Sequence, residues 1–304
     1  MSYLRIDPEV EAALADKKPV VALESTIIAH GLPRPDNLAV GRRLEAEIRA
    51  GGAVPATIAI FDGEVRVGLD EAGLERLATD PSVLKVSRRD LPVALARKAA
   101  GATTVSATMI AAEKAGIEVF VTGGIGGVHR GAAQTFDISA DLQELARTSV
   151  AVVCAGAKSV LDLGLTLEYL ETHGVPVLGL GTDVFPAFFL RRSPFPVDRR
   201  CDDVAEIAAV ARAKWDFGLA GGVVVANPIP EGAALDPQRF DADLERALSE
   251  AARQDVQGKA VTPFLLQRLR ELSGGDTLAA NIELVLSNAR VGAQLATCLA
   301  ASRV

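Results

Sequence analysis

Seven short apolar runs, at residues 20–23, 57–61, 83–86, 119–122, 150–154, 175–180 and 223–226, recur between longer stretches of helical periodicity. Within each run the apolar side chains follow one another instead of alternating with polar ones, so a strand built from it has to be covered on both faces. That pattern predicts an α/β fold, a three-layer α/β/α sandwich around a mostly parallel central sheet. The helical stretches have physical starts and stops. Asp36 or Asn37 can cap a helix that runs through Ile48 and that Gly51-Gly52 ends, and Glu71 opens a short helix behind Asp70. Residues 104–116, 139–147 and 159–170 read the same way, with Ser139 or Asp141 as a cap and Asp141 and Glu144 spaced as a capping box. Phe61-Asp62-Gly63-Glu64, followed by Val65 and Val67, predicts a tight turn joining an antiparallel pair off the main sheet. From Ala233 onward the chain reads as mostly helical.

At 304 residues the chain can bury a large core, and with no long linker it is expected to form one domain over residues 1–304. Its net charge of −7 argues against a nucleic-acid polymer or an anionic membrane as partner, since both reward dense Lys/Arg patches. A small anion held by a local cluster stays open. Cys154, Cys201 and Cys298 are far apart and in no metal-type spacing, as in a reducing compartment. Met1 leads into polar residues with no basic, apolar, cleavable leader, and no apolar run approaches the roughly 18 residues of a membrane helix. A cytoplasmic location is expected.

In open α/β sheets ligands gather beyond the carboxyl ends of the strands. The polar residues that follow the apolar runs are Glu24-Ser25-Thr26, Lys85 with Ser87, the glycine turn from Gly123 to Gly127, Lys158, Thr182-Asp183 and Asn227. Of 32 basic residues only 8 are lysines, and one of them, Lys158, stands directly after an apolar strand and three tiny residues, Ala155-Gly156-Ala157. An amine there is a candidate nucleophile, because a neutral amine attacks a carbonyl or anomeric carbon; a solvated lysine at the start of the next helix is the alternative. Glu24 is a candidate proton donor at the rim of the sheet, or a carboxylate that caps the backbone near Ser25 and Thr26. Gly123-Gly124-Ile125-Gly126-Gly127-Val128-His129-Arg130 can turn backbone N–H groups toward an oxyanion, with His129 and Arg130 adding donors, or it is only a tight turn. It matches neither a dinucleotide fingerprint nor a P-loop. Asp137 can hold a hard divalent cation that keeps several waters, Mg²⁺ or Mn²⁺ in preference to Zn²⁺. His30 and His173 stand alone and receive no metal role.

Taken together, several blocks resemble the pseudouridine-5'-phosphate glycosidases. They are Ala22 to Gly31, Val54 to Ala59, Lys85 to Leu91, Gly123 to Gly131 with Thr135 to Asp141, Cys154 to Leu165, Ala226 to Pro230 and Thr262 to Leu266, nearly end to end and in order. The resemblance implies reversible cleavage of the C–C glycosidic bond of pseudouridine 5'-phosphate to uracil and ribose 5-phosphate. It implies that Lys158 is the nucleophile of a Schiff-base route and that Glu24 protonates the departing uracil carbon. By the same resemblance Lys85, Val105 and Ser139-Ala140-Asp141 contact substrate, His129 helps hold its phosphate, Asn281 adds a polar contact, and Asp137 holds Mn²⁺, or Mg²⁺ in its place. It also implies a homotrimer.

Gly179-Leu180-Gly181-Thr182-Asp183 stands where such proteins tend to carry bulkier or uncharged side chains, which is expected to open the base pocket to another aglycone. Three rival readings follow. One is a C-ribosyl-transferring enzyme of secondary metabolism with a non-uracil acceptor. Another is a ribokinase-like sugar kinase, suggested by Gly274-Gly275-Asp276. The third is a phosphosugar-binding protein in which Lys158 only holds an anion.

Overall fold

The computed structural model describes residues 3–256 and 258–302, without the side chain of residue 259. Its strands are β1 (Leu4–Ile6), β2 (Val20–Leu23), β3 (Val54–Phe61), β4 (Glu64–Val67), β5 (Leu84–Val86), β6 (Gly101–Thr103), β7 (Val119–Val121), β8 (Ala151–Cys154), β9 (Val177–Leu180), β10 (Arg199–Cys201) and β11 (Val223–Ala226). Its α-helices are α1 (Pro8–Ala15), α2 (Asp36–Ala50), α3 (Glu71–Thr79), α4 (Leu91–Ala96), α5 (Val105–Ala115), α6 (Ala132–Thr135), α7 (Ala140–Leu145), α8 (Leu163–Thr172), α9 (Val204–Asp216), α10 (Pro237–Arg253), α11 (Val261–Leu272) and α12 (Asp276–Ala301).

The main sheet runs β3-β2-β7-β8-β11-β9-β10, and every neighbouring pair in it is parallel. The strands β2, β7, β8 and β11 are buried at every residue, as their unbroken apolar runs require. Helix α12 packs on β2, β7 and β8 with α2 and α9 beside it, and α5 covers β2 and β7 from the other side with α7 against it. The expected mostly parallel sheet between helical layers is therefore present. Although α12 is 26 residues long and apolar enough by composition to cross a membrane, more than half of that stretch is buried in the protein.

The predicted tight turn forms, with Asp62 and Gly63 at φ of 56° and 85°, as a two-residue hairpin requires. It does not stand apart from the main sheet, however. Residues Val54 to Thr57 of β3 pair with β2, and Ile58 to Phe61 pair antiparallel with β4, so one strand belongs to two sheets. The second sheet is completed by β1 beside β4 and by β6 and β5.

Three local expectations change. The helix expected from residue 159 begins at Leu163, because Asp162 is the cap: its carboxylate accepts from Leu165 N at 3.0 Å. Lys158 thus lies in the turn before the helix. Asn37 does not cap α2; it is buried and donates to Ile28 O at 2.9 Å and Ala78 O at 3.1 Å, clamping a π-helical turn, Ile27–Gly31, to α3. Ser139 does cap α7, accepting from Asp141 N, but Asp141 and Glu144 form no capping box. Glu144 is buried and takes Arg88 at 2.6 Å instead.

Candidate active site

Because the seven main strands are parallel, their carboxyl ends share one rim. From β2 the chain passes to β3 on one side, whereas from β7 it passes to β8 on the other, so the order reverses between β2 and β7. A crevice opens at such a point. Glu24 follows β2 there and is half-buried; its two carboxylate oxygens accept from the hydroxyls of Thr26 and of Thr122, the residue after β7.

Lys158, also half-buried, comes from the next strand along. Beyond β8 the chain continues beside the glycine turn: Ile125 N donates to Gly156 O, and Lys158 N donates to Ile125 O, each at 3.1 Å. Gly156 has a φ of +83°, and a Cβ on it would lie 2.0 Å from Pro186 O, which accounts for the tiny residues before the lysine. Glu24 and Lys158 therefore flank the β7 turn, their strands two spacings apart, about 10 Å.

Three N–H groups of the turn are already engaged within the protein. The N–H groups of Ile125, Gly126 and Val128 are spent on Gly156 O, Asp141 Oδ2 at 2.8 Å and Thr166 Oγ at 3.0 Å. Its glycines permit close packing: a Cβ on Gly124 would strike the Phe188 ring, one on Gly126 would strike Ser139 Oγ, and one on Gly127 would strike Thr166. Beyond it Val128 and Ile138 pair, with His129 N donating to Asp137 O at 3.0 Å and Ser139 N to Gly127 O at 3.0 Å. This hairpin returns His129 toward the lysine. Burial pushes the His129 imidazole below its usual pKa, the Asp137 carboxylate opposes that, and the charge of Lys158 adds to it.

The other predicted residues fall into two groups. Asp141 is buried, and while Oδ2 holds Gly126, Oδ1 accepts from Ser106 N at 2.9 Å. It thereby draws Ser139, Ala140 and the buried Val105, the first residue of α5, to the glycine turn. Asn281 on α12 also reaches that turn, its Oδ1 lying 3.4 Å from where a Cβ on Gly123 would be. Lys85 stands on the smaller sheet, exposed, in register with Ala102 of β6 and close enough to His30 to help lower that imidazole's pKa, after the larger effect of burial.

Asp137 is 38% exposed, and its Oδ2 lies 3.9 Å from His129 Nδ1. Among the described residues no three His, Cys, Asp or Glu side chains gather as a metal cluster. One carboxylate of this kind fits a hard cation that keeps most of its water and takes further oxygens from substrate, and it does not fit zinc. The small residues at 179–183 answer to close packing of the backbone. A Cβ on Gly179 would lie 2.3 Å from Thr182 O, Gly181 has φ +62°, and the largely exposed Asp183 pairs with Arg200 at 3.3 Å. These glycines make a turn. Gly274 and Gly275, with φ of 66° and 100°, likewise turn the chain from α11 into α12.

Two residues of the site escape the sequence. Thr122 closes an apolar run and offers only that weak signal. Asn288, buried inside an apolar helix, offers none, yet its amide donates to Thr122 O at 2.8 Å.

A family model described as "Indigoidine synthase A like protein" matches residues 9–298. The chain belongs to the indigoidine synthase A-like family. The curated pseudouridine-5'-phosphate glycosidase of Geobacillus kaustophilus (strain HTA426) is 61% identical to this family member over 294 residues, covering 97% of this chain and 98% of its own. Among solved structures, the prealnumycin C-glycosynthase AlnA in complex with ribulose 5-phosphate superposes with a TM-score of 0.92 at 42% identity, covering 99% of this chain and 98% of the other. The indigoidine synthase A-like protein of Thermotoga maritima superposes with a TM-score of 0.89 at 35% identity, covering 98% and 97%.

Proposed function

We propose that the chain is a pseudouridine-5'-phosphate glycosidase, an enzyme that reversibly cleaves the C–C glycosidic bond of pseudouridine 5'-phosphate to uracil and ribose 5-phosphate. The observation that carries the reading is the placing of Glu24 and Lys158 on either side of the β7 turn, in a chain 61% identical to a protein of that name.

A carbon leaving group departs poorly as a carbanion, and the two side chains answer that difficulty together. The unprotonated Lys158 amine attacks the anomeric carbon as the ring C–O bond breaks, and the proton that the new ammonium sheds ends on the ring oxygen, which leaves a secondary amine with its lone pair. Glu24 then gives a proton to the uracil carbon as the amine's lone pair expels it, leaving an iminium on Lys158. Water adds to the iminium carbon and the amine leaves, so ribose 5-phosphate is released and Lys158 restored. Thr26 and Thr122 hold the Glu24 carboxyl at the crevice, and His129, Lys85 and the Ser139 to Asp141 segment contact the phosphosugar. Asp137 is the residue that would hold Mn²⁺ or Mg²⁺, an ion that supplies positive charge for substrate oxygens when bound. The reading extends to a cytoplasmic homotrimer, to which the exposed Phe217 and Leu219 offer apolar surface.

The likeness to a C-glycosynthase favours one second reading, transfer of the ribosyl group to a non-uracil acceptor. Incubation with uracil and with aromatic acceptors separates the two. The main test is borohydride reduction in the presence of ribose 5-phosphate: a stable mass adduct is expected on Lys158 and none in Lys158→Ala, which also loses pseudouridine 5'-phosphate cleavage. Undiminished turnover by Lys158→Ala overturns the mechanism.

A further inference from the structure

We propose that Asn288 is a positioning residue that fixes Thr122, and through it the Glu24 carboxyl group, for protonation of the leaving carbon. This rests on the glycosidase reading and adds to it a residue from the far end of the chain.

Asn288 sits on the face of α12 that packs against the sheet and is 1% exposed. A buried amide is costly unless its hydrogen bonds are made, and every one made here goes to a rim of the sheet. Its Nδ2 donates to Thr122 O at 2.8 Å and lies 3.4 Å from Gly123 O. Its Oδ1 accepts from Asn227 Nδ2 at 2.9 Å, and that amide also bonds Ser287 Oγ at 3.2 Å. Asn227 follows β11, whereas Thr122 and Gly123 follow β7. A side chain in this place must donate on one side and accept on the other, which an amide does and a carboxylate or an aliphatic group does not.

The Thr122 main chain is thus held on both sides, its N–H donating to Val153 O at 3.0 Å and its carbonyl held by Asn288. The Cα that bears the hydroxyl donating to Glu24 therefore lies between two anchored peptides, and loss of either anchor lets that Cα shift. Asn281, seven residues earlier and about two helical turns away, faces the same turn. One helix therefore brings a contact for the site and a support for its acid.

The test uses the full-length enzyme. Asn288→Asp keeps the side chain's shape but sets an acceptor against the two carbonyls. Cleavage of pseudouridine 5'-phosphate is expected to fall on the order of ten- to a hundredfold in kcat with little change in KM. Adduct formation between Lys158 and ribose 5-phosphate under borohydride is expected to keep its wild-type rate, which also reports a folded protein. Thr122→Val is expected to slow cleavage in the same way, and the double variant to be no slower than Thr122→Val alone. If Asn288→Asp does not fold, Asn227→Ala, which removes the donor to Asn288 together with the bond to Ser287 Oγ and leaves Asn288 itself in place, is expected to show a smaller loss in the same pattern. Independent, multiplying effects of the two substitutions, or adduct formation falling in step with cleavage, overturn the proposal. Failure of the wild type to cleave the substrate strikes the glycosidase reading instead.

Discussion

Asp141 illustrates how one side chain can organise a site through the backbone. Its two oxygens accept from Ser106 N and Gly126 N, so the start of α5 and the glycine turn are joined by a single carboxylate. In Asp141→Asn one oxygen becomes an NH₂ that must face one of those N–H groups. A stability loss of about 1–3 kcal/mol is expected, with reduced turnover, read by urea unfolding and by a cleavage assay. The residue was visible in the sequence as a candidate contact, but its bonds to the backbone were not, because they depend on partners 35 and 15 positions away. Glu24 and Lys158 were legible for the opposite reason. Each directly follows an apolar run, or nearly so, and strand ends in parallel sheets converge whatever the rest of the chain does.

At the scale of elements, α12 shows how closely a helix must approach this sheet. A Cβ on Gly292 would lie 2.2 Å from Val121 Cγ2, with no room between helix and strand. Gly292→Ala gains helix propensity of about 1 kcal/mol but overpacks the interface at a cost of about 1–3 kcal/mol. A lowered Tm is expected in a thermal melt, and Val121→Ala in the same chain is expected to recover part of it. The helical reading from Ala233 onward covers this helix without revealing which face meets the sheet. The start of α8 was missed because Asp162, four residues past Lys158, competes with Ser159 as a cap, and only the side-chain bond to Leu165 N decides between them.

At the scale of the molecule, one charge that opposes folding lies on α2, away from the active site. Glu45 on α2 accepts from Thr57 Oγ at 2.6 Å, yet burial outweighs that bond and raises its carboxyl pKa above 4.5. A raised folded-state pKa means that the stability this group contributes is fully present below the unfolded value and is lost as pH rises through the folded one. Glu45→Gln, which keeps an acceptor for Thr57, is therefore expected to raise Tm by roughly 1–3 °C at pH 7. The gain should shrink toward pH 4.5 in a series of melts at different pH.

The distances along the chain between the groups of the rim carry a last consequence. Glu24 and Thr122 are 98 positions apart, and Thr122 and Asn288 another 166, so no nascent fragment ending before α12 contains the whole arrangement. Parallel pairings of this kind form late, after long loops have closed. A ribosome-bound chain lacking its final helix therefore holds Glu24, Thr122 and Lys158 but not the amide that anchors the Thr122 carbonyl, so the rim is completed only when the last element docks.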